Sequence, residues 1–304
     1  MITTNLTGNL GNHMWQYAVC RTIAEKLGYE WGINPSPTHD YYNGKNQMYF
    51  MNVDFGKYPE GNFQDFHEKW IIYKHVDDVN ITFLDERVYK IPDNTRLIGH
   101  NGAYGGIYQS EDYIIDRKQD ILNWFSINNE YKKSYDEILI KNYINIHDED
   151  LCVINFRGGE YRGIPNVLLN QNYWKNAIKN MLSFNPNMYF IIITDDIDCA
   201  KQYIGSDISC FHYDIGFDFY VVNQARNLIL SNSTFGWWAG WLNTNSRKTI
   251  APKYWARHNV SDGYWATGDS YSRPFTYQDR EGILYDYETC KNEAINYYKQ
   301  KNIL

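Results

Sequence analysis

The sequence predicts an α/β protein whose C-terminal half is a doubly wound parallel sheet, and three observations carry that expectation. Between residues 151 and 251, short apolar runs alternate with helix-length stretches, the pattern of strands covered on both faces by crossover helices. The N-terminus has a similar opening: a strand-like segment, a glycine loop, then an amphipathic stretch closed by Gly28. A chain of 304 residues is also long enough for two α/β domains. These are expected at 1–145 and 146–304.

The elements follow in order. Residues 1–6 read as a weak strand and Thr7–Asn12 as a loop. Residues 13–27 read as a helix, with Met14, Tyr17, Ala18, Ile23, Ala24 and Leu27 apolar, and residues 29–33 as the next strand. Residues 34–92, rich in Tyr, Asn, Asp and Gly, are expected to be irregular, with short apolar pieces such as Trp70–Tyr73. A strand is expected at 97–100, a capped helical stretch from Gln109 towards Phe125, and a polar connecting helix over 128–144. Strands at 151–156, 188–194, 208–212, 228–231 and 248–251 then alternate with helices at 172–181, 198–203, 217–227 and 234–242. Sheets of this kind bind ligands beyond the carboxyl ends of their strands.

Composition narrows the function. A net charge of -7 and no block of Lys or Arg argue against a general nucleic-acid surface. The five cysteines have no metal-type spacing and are expected as reduced, mostly buried thiols. The N-terminus lacks the basic start and apolar core of a signal peptide, and no window is apolar enough to span a membrane. A soluble, cytoplasmic protein is expected.

In the second half, polar constellations fall at strand ends. Arg157, in Asn155-Phe-Arg-Gly-Gly-Glu-Tyr-Arg162, would aim a permanent cation at the mouth of the sheet, beside glycines that admit a ligand. The plainer reading is a surface salt bridge. Thr194, Asp195 and Asp196 end the most apolar strand, where carboxylates lock an arginine, hold a ribose hydroxyl or cap the next helix. Asp196-Ile-Asp198 has a D-x-D form of the kind that can hold a divalent metal, a weak signal at this length. Ser231-Asn-Ser-Thr234, between an apolar strand and a Trp-rich helix, gathers hydroxyls and backbone N–H groups at the positive end of a helix dipole. That suits a phosphate, and a helix cap accounts for it equally well. Asp218 opens the expected helix upstream, either as a dipole partner or as an acceptor for the edge of a guanine.

These pieces, in this order, resemble the α-1,2-fucosyltransferases of glycosyltransferase family 11. Gly8-Asn-Leu-Gly-Asn-His-Met-Trp-Gln-Tyr-Ala18 is similar to the family's G-x-L-G-N-x-x-F-Q-Y-A, and residues 106–113 to G-Y-x-Q-S-E-x-Y. Residues 155–161 occupy the place of H-x-R-R-x-D-Y, residues 193–196 match F-S-D-D, and Ser231–Trp238 match S-N-S-S-F-S-W-W. The resemblance runs from about residue 8 to about residue 255.

The resemblance implies a GT-B architecture, two Rossmann-like domains facing a cleft. It also implies inverting transfer from GDP-β-L-fucose to a glycan hydroxyl, galactose O2 foremost, with no cofactor and no essential metal. Arg157 takes the place of the arginine that contacts the diphosphate, and Asn155 that of a histidine touching the nucleotide. Asp218 corresponds to the acid that reads guanine, and Ser233 and Thr234 to hydroxyls on the β-phosphate. Thr194, Asp195 and Asn232 complete the expected donor site. Gly8, Gly11, Asn12 and His13 are expected to form a loop that closes the cleft.

Arg157 is assigned charge stabilisation and Glu160 the role of base, with a plain ion pair as the competing reading for Glu160. The chain departs from the family where Gly158 replaces the second arginine, and Arg162 is the candidate replacement cation. Two alternatives stay open: another GDP-6-deoxysugar or linkage, and a non-catalytic glycan-binding protein.

Overall fold

The computed structural model describes residues 1–36, 46–68, 70–73, 79–82, 84–98, 108–164, 167–255 and 270–300. Contacts divide the chain into two compact units, one built on Met1–Asn128 and the other on Asn129–Thr267 with Tyr271–Leu304.

The first unit opens with β1 (Ile2–Asn5), α1 (Leu10–Leu27) and β2 (Trp31–Asn34). Gly28 ends α1 in the left-handed region (φ 72°), its N–H returning to the last turn, as the sequence predicts. The segment read as irregular instead carries β3 (Gln64–His67), an antiparallel hairpin of β4 (Trp70–Tyr73) and β5 (Val79–Thr82), and a 3₁₀ turn at Glu86–Lys90. β3 escapes a reading by alternation because it is a polar edge strand, held by its pairing with β6 (Thr95–Ile98). The parallel sheet runs β2-β1-β6-β3. Residues 99 and 100 of the expected strand, and 106 and 107 of the second motif, lie outside the described residues. The helical stretch from Gln109 begins as 3₁₀ turns at Glu111–Tyr113 and Ile115–Arg117 before α2 (Lys118–Trp124).

The second unit begins at α3 (Asn129–Lys141), the helix expected as a connector. Tyr135 of α3 meets the rings of Phe217 and Tyr220, and Asp136 accepts a 2.7 Å hydrogen bond from the Tyr220 hydroxyl. There follow β7 (Leu151–Phe156), α4 (Gln171–Phe184), β8 (Tyr189–Thr194), α5 (Ile197–Ile204), β9 (Ser209–Phe211) and α6 (Ile215–Gln224). Next come β10 (Asn227–Leu230), α7 (Thr234–Trp241), β11 (Lys248–Pro252), β12 (Thr276–Gln278), β13 (Leu284–Tyr285) and α8 (Tyr287–Gln300). The strand order is β13-β12-β11-β10-β7-β8-β9, parallel except for β13.

The predicted alternation therefore stands, and the α/β class with parallel sheets in both units is what the sequence leads one to expect. β7 and β10 are buried along their whole length, which is why residues 151–154 and 228–230 read as unbroken apolar runs. Tyr173, Trp174, Ala177 and Met181, on one face of α4, join Ile154, Phe156, Ile192 and Ile229 in the core. Among the described residues, no helix is long and apolar enough to cross a membrane. All five cysteines are free thiols, four of them buried and Cys210 half-buried.

Candidate active site

The strand order reverses beside β7: the chain moves outward through β8 and β9, then returns to β7's other flank as β10. The carboxyl ends of such neighbours are where ligands enter a doubly wound sheet. Register aligns these ends, with Phe156 opposite Thr194 and Asn155 opposite Leu230. The turns after β7, β8 and β10 are thus brought together, as the sequence predicts, and each is built differently.

After β7 the chain enters a 3₁₀ turn at Gly159–Gly163. Arg157 is one-fifth exposed and ion-paired to Asp195, with Glu160 Oε1 2.8 Å from its Nη2. The Tyr161 ring lies 5.4 Å from its guanidinium carbon. Burial opposes the charge on Arg157, but Asp195, Tyr161 and Glu160 outweigh it and raise the guanidinium pKa. Glu160 is more than half exposed and held by that pair. Arg162 lies 3.4 Å from an Asp196 oxygen.

The glycines serve a purpose different from the one expected. A Cβ at Gly159 would meet Asp195 Oδ2 at 2.4 Å, and one at Gly158 would meet Asp196 Cβ at 2.6 Å. They let the β7 turn close on the β8 turn, which is a contact inside the protein. The Gly158 N–H seals it, donating to Asp195 Oδ1 at 2.8 Å.

After β8, the buried Thr194 hydroxyl accepts from the Asp196 N–H at 3.0 Å, folding the turn on itself. Asp196 caps α5 by accepting from the Cys199 N–H at 3.0 Å, and its other oxygen faces Arg162. The Asp196 carboxylate of the D-x-D pattern is thus committed to a cap and an ion pair, and no group of three metal-type side chains occurs among the described residues.

After β10, Ser231, Asn232 and Ser233 are buried. The Ser231 Oγ lies 3.3 Å from both Asn155 Oδ1 and Ser233 Oγ, and Ser233 caps α7 by accepting from the Gly236 N–H at 3.1 Å. The cap reading is therefore realised, and these hydroxyls knit the turn. Thr234 is the first residue of α7 and half-buried. The Asn232 amide donates to Val167 O at 2.9 Å, while its Oδ1 is buried without a hydrogen-bond partner among the described residues. Behind the turn, Trp237 stacks on Trp241 at 5.6 Å and Trp238 meets both edge-on. Gly240 allows α7 to sit close over β10, since a Cβ there would come 3.0 Å from Leu230 Cδ1.

Asp218 does not open its helix. α6 begins at Ile215, capped by Asp214, which accepts from the Phe217 N–H at 2.8 Å; Asp218 sits one turn in, 5% exposed. The sequence reading missed Asp214 because Gly216 interrupts the apolar run. It also missed His212, whose Nδ1 lies 2.6 Å from Asp218 Oδ2. His212 stands just beyond β9, so the strand-end rule that singled out Arg157 would have found it. Burial pushes the Asp218 carboxyl up to about 6, against the opposing pull of His212, and the bond to Asp218 raises the His212 pKa. Asp195 adds to that rise, so its charge reaches His212.

In the first unit the expected loop is shorter than predicted. α1 starts at Leu10, so Gly11, Asn12 and His13 form its first turn, and only Thr7–Asn9 are non-helical. Gln16 clamps this loop: its Oε1 accepts from the Thr7 N–H at 2.9 Å and its Nε2 donates to Thr7 Oγ1 at 2.7 Å. Gly8 holds φ +77°, and a Cβ there would meet Asn12 Nδ2 at 2.5 Å. Gln109, from the second motif, donates to Asn12 Oδ1 at 3.3 Å. His13 is fully buried, and burial pushes its pKa down to about 4 against the Gly8 backbone, so the ring is neutral near pH 7.

Comparison with known proteins yields likenesses over most of the chain. The sequence profile described as "Glycosyl transferase family 11" matches residues 1–271. The chain is 24% identical over 287 residues to the O-antigen biosynthesis glycosyltransferase WbnK of Escherichia coli, covering 84% of this chain and 94% of that one. It is 28% identical over 290 residues to an alpha-1,2-colitosyltransferase of Escherichia coli, covering 84% and 92%. Among solved structures it is similar to the fucosyltransferase NodZ from Bradyrhizobium, with a TM-score of 0.44 and 12% identity over 79% of this chain and 91% of that chain.

Proposed function

The chain belongs to glycosyl transferase family 11 and is therefore an enzyme that transfers a sugar, and on that footing we propose that it moves L-fucose from GDP-β-L-fucose to O2 of a galactose unit in a glycan. Family membership sets aside the non-catalytic glycan-binding alternative.

One observation carries the donor reading. Arg157, fixed by Asp195, and the N-terminus of α7 behind Ser233 lie at the ends of the adjacent strands β7 and β10. A cation and a helix dipole on neighbouring strand ends suit a diphosphate. Asp218, buried beyond β9, is then the acceptor for the two N–H donors on a guanine edge.

In the inverting reaction the acceptor oxygen bonds to the sugar's anomeric carbon opposite the leaving group. The bond from that carbon to the β-phosphate oxygen breaks, and its electron pair departs with GDP. Arg157 and the helix terminus stabilise that charge, on the scale of about 2.7–4 kcal/mol per well-aimed donor. The hydroxyl proton goes to a base, assigned to Glu160, whose carboxylate stands against Arg157. No step calls on a metal. Near-unchanged turnover in Glu160→Gln would remove that assignment.

A second reading is favoured by the colitosyltransferase relative: the donor sugar is the 3-deoxy counterpart of fucose, carried on the same nucleotide. The test is calorimetric titration with GDP, ADP and UDP, then transfer from GDP-fucose and GDP-colitose to a panel of galactosides. Failure to prefer GDP removes the donor reading; preference for GDP-colitose in transfer replaces fucose while leaving the nucleotide site intact.

A further inference from the structure

Among the charged groups at the strand ends, His212 has no role in the reading above, although it is paired with Asp218, which has one. The two residues are six apart in sequence but belong to different elements, His212 following β9 and Asp218 lying within α6. Their side chains differ in exposure: Asp218 keeps 8% of its surface and His212 45%. The Nδ1 to Oδ2 distance of 2.6 Å is that of a strong hydrogen bond, charge-assisted when the ring carries its proton on Nδ1 and the carboxylate is ionised. A second, longer approach, 3.4 Å, comes from the Tyr213 N–H to Oδ1.

We propose that His212 is a positioning residue for nucleobase selection, fixing the rotation and the ionised state of the Asp218 carboxylate so that it takes both donors of a guanine edge. The inference rests on the GDP donor reading above.

The argument begins with the cost of the carboxylate. A buried carboxyl group without a partner takes up a proton and becomes half donor, half acceptor, which spoils its match to two N–H groups. His212 opposes that tendency, and it is the group whose hydrogen bond most favours the charged carboxylate. It also fixes rotation: with Oδ2 tied to His212, the carboxylate plane cannot turn freely. A carboxylate offers about four lone-pair directions, so acceptor capacity remains on both oxygens after His212 and Tyr213 have taken theirs. Placement agrees with this role. β9 follows β8 in the sheet, so His212 stands about 10 Å from the end of β7, two strand spacings away. That is the reach of a nucleoside whose diphosphate lies at Arg157.

The test compares wild type, His212→Ala and His212→Asn by calorimetric titration with GDP and with IDP, which lacks the exocyclic amine of guanine. Wild type is expected to bind GDP about tenfold more tightly than IDP. His212→Ala is expected to reduce that ratio to about twofold or less, whereas His212→Asn, which keeps an N–H near the Nδ1 position, retains most of it. A merely structural histidine would weaken both ligands equally and leave the ratio unchanged. An unchanged ratio in His212→Ala, or equal loss of it in the two variants, overturns the inference. A wild type that does not distinguish GDP from ADP and UDP overturns the donor reading itself, and the two failures are separated by which protein shows them.

Discussion

A Cβ at Gly158 would lie 2.6 Å from the Cβ of Asp196, so no side chain fits there while the β7 and β8 turns keep their separation. Family 11 resemblance places a second arginine at this position, and here the space it would occupy is filled by the neighbouring turn. Gly158→Arg is therefore expected to lower donor turnover, not restore it, and to cost about 1–3 kcal/mol of stability. Thermal unfolding and GDP titration check this; a Gly158→Arg protein as stable as wild type would mean that the turns part easily.

Arg157 is gripped at both ends of its fork, by Asp195 at Nη1 and Glu160 at Nη2. Lysine keeps the charge and loses the fork. Turnover with GDP-fucose is expected to fall roughly a hundredfold in Arg157→Ala and roughly tenfold in Arg157→Lys. Steady-state assays decide, and equal rates for Arg157→Lys and wild type would reduce the arginine to a point charge.

His13 governs part of the acid limb of stability. Its folded pKa, about 4, lies below the ordinary 6.5 because burial disfavours the imidazolium. Between these values the unfolded chain holds a proton that the folded one does not, so stability is lost as pH falls through this window, by up to about 3 kcal/mol. In His13→Leu that loss is absent. The melting temperature of the variant should gain on wild type between pH 7 and pH 4.5; a constant difference across that range would contradict the neutral, buried ring.

GDP binding should weaken as pH falls through about 6, where burial places the Asp218 carboxyl despite His212 and with Asp214 adding to the rise. Protonation removes an acceptor that the guanine edge needs. Asp218→Asn should bind GDP weakly at every pH and lose the dependence. Calorimetry between pH 5 and 8 measures both, and GDP affinity flat across pH 6 in wild type would detach Asp218 from the base.

The strands of the second unit were legible because burial on both faces makes most of β7 and β10 and the inner part of β8 apolar, and their ends carried Arg157, Asp195 and Ser231 in plain view. What stayed hidden depends on partners distant in sequence. β3 is polar at three of its four positions and becomes a strand through β6. The role of Gly158 exists only against Asp196, and the start of α1 at Leu10 is set by backbone bonds from Asn12 and His13 to Asn9 O, with no side-chain cap to announce it. His212 was overlooked for a different reason: a lone histidine after a short edge strand has no meaning until α6 brings Asp218 to it.

The wedge of Trp237, Trp238 and Trp241 has a consequence for the timing of catalysis. These rings leave α7 little freedom to tilt or slide on β10, and Gly240 already lets it sit close. A dipole that cannot swing does not have to be reoriented when charge builds on a departing phosphate; its alignment was completed when the chain folded. On the proposed donor reading, the packing of these tryptophans would thereby keep the reorganisation part of the barrier small.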